Sequence, residues 1–188
     1  MALTIKEPAS AELKILRSQF ICALYPVESP EEARLQLGEH NQLYSDATHN
    51  CYAYICGFNQ ETSYYSDAGE PGGTAGKPIL NALLRHQLTN ILAVVTRYYG
   101  GIKLGVKGLI EAYGAAVEEG VYRSELVTAR KFISITQSCE YSAFASLKHK
   151  AAELEAEFSQ VEYARKVSFV ISVPSENEAA LQGLLKLL

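Results

Sequence analysis

No apolar run in these 188 residues approaches the ~20 that a membrane-spanning helix needs. The start, MALTIKEPASAELKILRSQF, has no basic opening followed by a long apolar core. No export signal is read there, no membrane is expected, and the cytoplasm is the expected compartment. Cysteine is scarce: Cys22, Cys51, Cys56 and Cys139, with no C-x-x-C pair. The usual structural zinc spacing is therefore missing, and free thiols are expected. Cys51 and Cys56 stand an odd separation apart in a strand-like run, which sends them to opposite faces. H-E-x-x-H, a serine nucleophile elbow and G-x-G-x-x-G are also missing. Their absence removes the zinc peptidase, α/β-hydrolase and dinucleotide fingerprints. No metal and no cofactor are expected.

Charge is weak as well. A net of −4 gives no whole-chain case for nucleic acid. Its distribution is uneven: residues 1–66 carry −4, residues 67–111 carry +2 and residues 112–188 carry −2. The middle block is a mildly basic island in an acidic chain. The length suits one large domain or two small ones.

What the chain does have is alternation of strand-like and helix-like segments. Residues 20–25 (FICALY) read as a strand closed by Pro26. Ser29-Pro30-Glu31-Glu32 opens a helix that should run to about Tyr44: Ser caps, Pro fits the first turn, and acids suit the positive end of the dipole. Residues 51–58 (CYAYICGF) and 62–66 (TSYYS) read as a hairpin. Pro78 opens a helix whose Ile79, Leu80, Leu83, Leu84 and Leu88 share an inward face. Residues 91–97 (ILAVVTR) form a β-branched central strand. A helix over about 109–125 follows.

A second unit begins near Val127. Residues 131–137 (KFISITQ) and 164–173 (ARKVSFVISV) read as strands around a helix over 142–158. Ser175-Glu176-Asn177-Glu178 opens a last helix to Leu188 with a capping pattern. A complete split β-α-β sandwich also needs a short strand near residues 160–163 and a last strand after Leu188. The sequence ends first, so this domain is expected to be truncated or to lack that strand. An open sheet edge would then be free to take a partner.

Chemistry concentrates in two glycine-rich loops, residues 67–77 and 97–108. Residues 71–78 (PGGTAGKP) look like a phosphate-binding P-loop but fail on mechanism. Pro71 stands where glycine is required, and Pro78 stands where the magnesium-binding hydroxyl belongs. A weaker reading survives: backbone N–H groups beside Lys77, at a helix start, hold an anion. Gly105-Val106-Lys107-Gly108 resembles the G-x-x-G clamp of KH domains, a spacing common by chance. Arg97, Tyr98, Tyr99, Lys103 and Lys107 pair cations with aromatics, as a nucleic-acid backbone with stacked bases requires. The plain alternative is ordinary strand-end chemistry, with one tyrosine packed inward and the lysines solvated. Asp67 and Glu70, with His49, are the candidates for acid–base work, and Cys51 beside His49 for a nucleophile. No matched nucleophile and base emerges, and Cys51 sits in an apolar run that suits a buried, inert thiol.

DATHNCYAY, SDAGEPGGTAGKPIL, LTN and VVTRYYGGIKLG together resemble the YigZ/IMPACT family over most of residues 17–120. The resemblance implies an α+β protein of two domains. Residues 1–125 would adopt the fold of ribosomal protein S5 domain 2, shared with elongation factor G domain IV and the GHMP kinases. Residues 126–188 would form a small ferredoxin-like sandwich like elongation factor G domains III and V. It also implies a role in translation. The eukaryotic relative competes for a ribosome-bound activator of a starvation-sensing kinase, and a nucleic-acid or ribosome-linked role is suggested for bacterial members.

The family's signature maps here onto His49, Asp67, Glu70, Pro71, Gly73, Thr74, Ala75, Gly76, Pro78, Thr96, Arg97, Tyr98, Gly100, Gly101, Lys103, Leu104, Gly105 and Tyr113. Three positions depart from it: Gly72 stands where serine is common, Lys107 where the family has glycine, and Glu111 where it has arginine. The expected function is non-enzymatic binding of RNA or the ribosome. The binding candidates are His49, Asp67, Glu70, Gly73, Thr74, Lys77, Arg97, Tyr98, Gly100, Gly101, Lys103 and Lys107. The rival readings are an enzyme on a small phosphorylated or peptide substrate using Asp67, Glu70 and Lys77, and a module that binds only a protein partner.

Overall fold

The computed structural model describes residues 2–186. The chain divides into two compact units, Met1–Ala129 and Arg130–Leu188. The first runs β1 (Leu3–Ile5), β2 (Ala9–Ile15), β3 (Ser18–Pro26), α1 (Pro30–Leu43), β4 (His49–Cys56), β5 (Thr62–Ser66), α2 (Gly76–Arg85), β6 (Ile91–Tyr98), α3 (Gly105–Arg123) and β7 (Leu126–Thr128). Five strands form one antiparallel sheet in the order β2-β3-β6-β4-β5. β1 and β7 pair separately, which ties residues 126–128 to the first unit and moves its boundary past Glu125.

β6 is central, as its β-branched run predicts, and the reason is burial on both faces. Ile91, Ala93 and Val95 join the core under α2 and α3, with Ile79, Leu83, Tyr113 and Val117. Leu92 and Val94 join a smaller core with Ala33 and Leu37 of α1. Ser29 caps α1 as expected, its Oγ accepting from the Glu32 N–H at 3.1 Å. α2 starts at Gly76, before Pro78, and Leu84 is exposed rather than inward. β1 and β2 carry no aromatic or turn signal that marked them in the sequence. β2 reaches its hairpin partner β3 by a two-residue turn, Leu16 (φ 45°) and Arg17 (φ 68°), both left-handed without glycine or asparagine.

Below α1 lies a buried polar chain. The Thr96 hydroxyl donates to Asn50 Oδ1 at 2.7 Å, so at 2.7 Å it must accept from His40 Nε2–H. His40 Nδ1 then accepts from the Tyr25 hydroxyl at 2.9 Å, and the ring stacks on Tyr44. This imidazole is held neutral: burial pushes its pKa from 6.5 to about 4. A base with a depressed folded pKa supports the fold fully above its unfolded value. That support is lost as pH falls from 6.5 towards about 4, by on the order of 3 kcal/mol. Urea titrations at neutral pH and at pH ~4 should show this loss in the wild type. His40→Gln, less stable at neutral pH, should show a shallower dependence.

The second unit runs β8 (Phe132–Cys139), α4 (Tyr141–Ala151), β9 (Glu157–Tyr163), β10 (Val167–Pro174) and α5 (Glu178–Leu185). Its antiparallel sheet has the order β8-β10-β9, covered on one face by α4 and α5 through Phe144, Leu147, Phe169, Ile171 and Leu181. β9 supplies the strand expected near residues 160–163. The capping pattern at Ser175 does not form: a 3₁₀ turn, Ser175–Asn177, intervenes, and α5 has no side-chain cap. The Asn177 amide instead donates to Leu154 O at 3.0 Å. The last two residues of the helix expected to reach Leu188 lie outside the described residues.

Candidate functional site

β4 runs antiparallel to both β5 and β6, so β5 and β6 point the same way and end at one sheet edge. Both glycine loops start there. His49 opens β4 directly across from Arg97, and Ser18 opens β3 at the same edge. The turn at Leu16 and Arg17 lies there too. A Cβ on Gly100 would sit 2.0 Å from Arg17 O, so only glycine lets the second loop pass that turn.

The first loop does hold an anion, and the anion is its own. Asp67 Oδ1 accepts from the N–H groups of Ala75 (2.9 Å) and Gly76 (2.8 Å), and Oδ2 from Gly73 (2.8 Å). The carboxylate therefore occupies the amide nest at the start of α2, the place read from the sequence as an anion site. Partial burial pushes its pKa up, but the three backbone donors outweigh that, and the net direction is down. Thr74 serves the loop as well, its hydroxyl donating to Pro71 O at 2.7 Å. A Cβ on Gly76 would meet the backbone of Ser66 at 2.7 Å, so loop and strand end are in direct contact.

Arg97 turns inward. It is 5% exposed, its guanidinium lying 5.4 Å from the ring centroids of both Phe20 and Tyr99. Nη1 donates to Glu70 Oε1 at 2.6 Å, and Nη2 to Ser18 Oγ at 3.4 Å. Nε has no partner among the described residues. Glu70 Oε1 also accepts from the Tyr113 hydroxyl at 2.8 Å. Ser18 Oγ accepts from the Gly100 N–H at 3.2 Å, coupling the second loop to this buried pair. Cys51 Sγ lies 2.9 Å from Asp67 O and 3.4 Å from the Tyr113 hydroxyl oxygen. Burial pushes its thiol up to about 12, so it carries no thiolate at neutral pH, as an inert core cysteine would not.

Asp67, Glu70 and Arg97, three of the polar candidates, thus lie at one sheet end: Asp67 binds backbone amides, Glu70 binds Arg97 and the Tyr113 hydroxyl, and Arg97 also reaches Ser18. His49 is half-buried beside them. Its Nδ1 lies 2.9 Å from Ala68 O, an acceptor, so the proton sits on Nδ1. Lys77 is separate: it lines a groove of about 510 Å³ between α2 and α3 with Pro78, Asn81, Arg85 and Glu118. Tyr98 is half-buried, its hydroxyl donating to Asp46 Oδ1 at 2.8 Å, and Tyr99 is 46% exposed. Neither tyrosine is packed in the core as expected of one of them, because β6 ends at Tyr98 and Tyr99 begins the loop. Gly101 takes φ 83°, in the left-handed region that favours glycine. Lys103 is exposed, and Lys107 lies 3.8 Å from Glu111 one helical turn on.

The sequence does not mark Arg17 and Ser18, whereas Cys51 is the buried, inert thiol expected of it. Only the Gly100 contact, which no linear pattern encodes, connects residues 17 and 100. Among the described residues no group of His, Cys, Asp and Glu could hold a metal ion, and no helix is long and apolar enough to cross a membrane.

The Impact N-terminal domain profile matches residues 16–121, the stretch that contains both loops and the buried pair. IMPACT family member YvyE of Bacillus subtilis is 37% identical over 166 residues, 88% of this chain and 76% of that protein. IMPACT family member YigZ of Escherichia coli is 32% identical over 182 residues, 95% of this chain and 88% of that protein. A crystal structure of a hypothetical protein superimposes with a TM-score of 0.72 at 29% identity, covering 97% of this chain and 89% of the other. With its signature loops, its mixed α+β architecture and relatives alike over most of their length, the chain belongs to the IMPACT family.

Proposed function

We propose that the protein is a non-enzymatic, cytoplasmic binding protein of the translation machinery that contacts RNA or the ribosome through its loop edge. Family membership supports the link to translation. The observation that carries the choice of face is the division of labour in the two loops. Asp67, Glu70 and Arg97 are consumed by internal bonds and fix the loops. Arg17, Lys103 and Tyr99 are left exposed on that fixed frame, in a chain that is acidic elsewhere. Cations beside an exposed aromatic ring suit phosphates and an unstacked base. An acid–base role for Asp67 and Glu70 fits less well, since three amides surround the first carboxylate and Arg97 and Tyr113 engage the second.

Binding of a single-stranded RNA, followed by anisotropy at several salt concentrations, tests this. Affinity should fall linearly on a log–log plot as salt rises. The double reversal Arg17→Glu/Lys103→Glu should weaken binding at low salt by roughly ten- to a hundredfold while leaving the fold intact. Equal affinity of the two proteins at low salt would remove the loop edge from the account.

A further inference from the structure

α2 and α3 lie side by side in the first unit, with a groove of about 510 Å³ between them. Both helices start at the loop edge, and Arg85 in the last turn of α2 reaches Glu118 of α3, so they run in the same sense. The groove runs from Gly73 and Lys77 past Asn81 and Ile110 to Arg85 and Glu118. Its far end is a finished cluster. Arg85 Nε donates to Glu118 Oε1 at 3.2 Å, and His86 Nε2 meets Glu118 Oε2.

Charge does not balance along the groove. Arg85 and His86 answer Glu118, and Glu111 has Lys107 at 3.8 Å one turn before it. Lys77 has no carboxylate within 4 Å and no hydrogen bond among the described residues. The unanswered charge is therefore a cation. The amide nest beside it holds Asp67 already and adds no site of its own. One turn along α2, Asn81 is exposed and presents a carboxamide, which donates and accepts as a peptide group does.

The floor is bare without a packing reason. A Cβ on Gly120 of α3 would meet Cys22 Sγ at 2.9 Å, and one on Gly108 would meet Leu104 Cβ at 3.0 Å. One on Gly114, which lines the groove, would meet nothing within 4 Å. Glycine inside a helix is less stable than alanine, but its bare backbone lets another backbone approach closely.

These features select a class of ligand. A third helix, about 10–12 Å across with its side chains, is too wide for a furrow between two packed helices. A nucleic acid would set several phosphates against Glu111 and Glu118, and among the described residues no aromatic ring lines the groove to stack a base. An extended peptide with one carboxylate answers Lys77, bonds Asn81 through its backbone and sets an apolar side chain on Ile110, which is 42% exposed. We infer that the α2–α3 groove binds an extended acidic segment of a protein partner, its backbone against Gly114 and its carboxylate on Lys77.

Blocked pentapeptides of sequence AVEVA, AVQVA and AVKVA test this, titrated into the full chain to millimolar concentration and followed by amide NMR shifts. The glutamate peptide should shift Lys77, Asn81, Gly114 and Ala115, with affinity falling from glutamate to glutamine to lysine. Lys77→Gln should weaken the glutamate peptide about fivefold and leave the glutamine peptide unchanged. Gly114→Leu fills the floor without touching the core, so it should fold at least as stably as wild type and lose the peptide. No shifts at millimolar AVEVA, equal binding of the three peptides, or undiminished binding by Gly114→Leu would overturn the inference. A single-stranded RNA that displaced the peptide from these residues would also overturn it, by giving the groove to nucleic acid. Arg17→Glu/Lys103→Glu should bind the peptide as wild type does, so failure at the groove and failure at the loop edge are read separately.

Discussion

Glu70→Ala should lower stability by about 3–5 kcal/mol, the range for breaking a buried ion pair from one side. Arg97 has a side chain 6% exposed and Glu70 one 3% exposed, so water does not replace the lost carboxylate. The substitution also removes the acceptor of the Tyr113 hydroxyl, a second buried polar group. Against a typical total of about 5–15 kcal/mol, such a loss brings the first unit near its unfolding threshold. Two companions separate charge from packing. Glu70→Gln keeps an acceptor for Tyr113 and should lose less. Glu70→Leu/Arg97→Met removes both charges together and should lose less than Glu70→Ala alone, because no uncompensated charge remains buried. Urea midpoints at neutral pH measure all three. A Glu70→Ala protein within ~1 kcal/mol of wild type would mean that Arg97 finds its counter-charge elsewhere.

The second large effect is at Asp67. Asp67→Ala leaves the N–H groups of Gly73, Ala75 and Gly76 without their shared acceptor, and should lose about 2–4 kcal/mol. Asp67→Asn should be nearly as damaging, since its amide turns an N–H donor towards a backbone N–H. Because the emptied nest remains an anion site, inorganic phosphate should restore part of the stability of Asp67→Ala and do little for wild type. Thermal melts with and without phosphate read this directly. The pH dependence has a definite sign. A carboxyl with a depressed folded pKa contributes fully above its ordinary value of 3.8, and that contribution is lost as pH falls through the lower folded value.

These two residues also show what a sequence can reveal. Asp67, Glu70 and Arg97 stand out in the chain by type and by setting in glycine-rich loops, and the structure does gather them. Their direction is not visible in one dimension. Whether Arg97 faces water or Glu70 depends on which side of β6 it takes, and on Phe20, Tyr113 and Ser18 arriving from distant elements. The same holds for the first loop, where glycines and a helix start do mark an anion site, but the chain fills it with its own Asp67. The helix α1 was legible from its capping start, and α3 and the strands β3 to β6 from their apolar patterns. β1 and β2 were not, being short or mixed in polarity, with a left-handed turn built from Leu16 and Arg17 where glycine or asparagine would have signalled it. Ser175 looked like a helix cap from its neighbours alone, and long-range bonds, from Ser175 N to Lys131 O and from Asn177 to Leu154 O, decided otherwise.

Co-sedimentation with purified ribosomes across a salt gradient tests the loop edge most directly. Wild-type protein should pellet with ribosomes at low salt and return to the supernatant as salt rises. Arg17→Glu/Lys103→Glu, with an unchanged circular dichroism spectrum, should remain in the supernatant throughout. Equal pelleting of the two proteins, or wild-type protein that never pellets at low salt, would contradict a ribosome contact through this face.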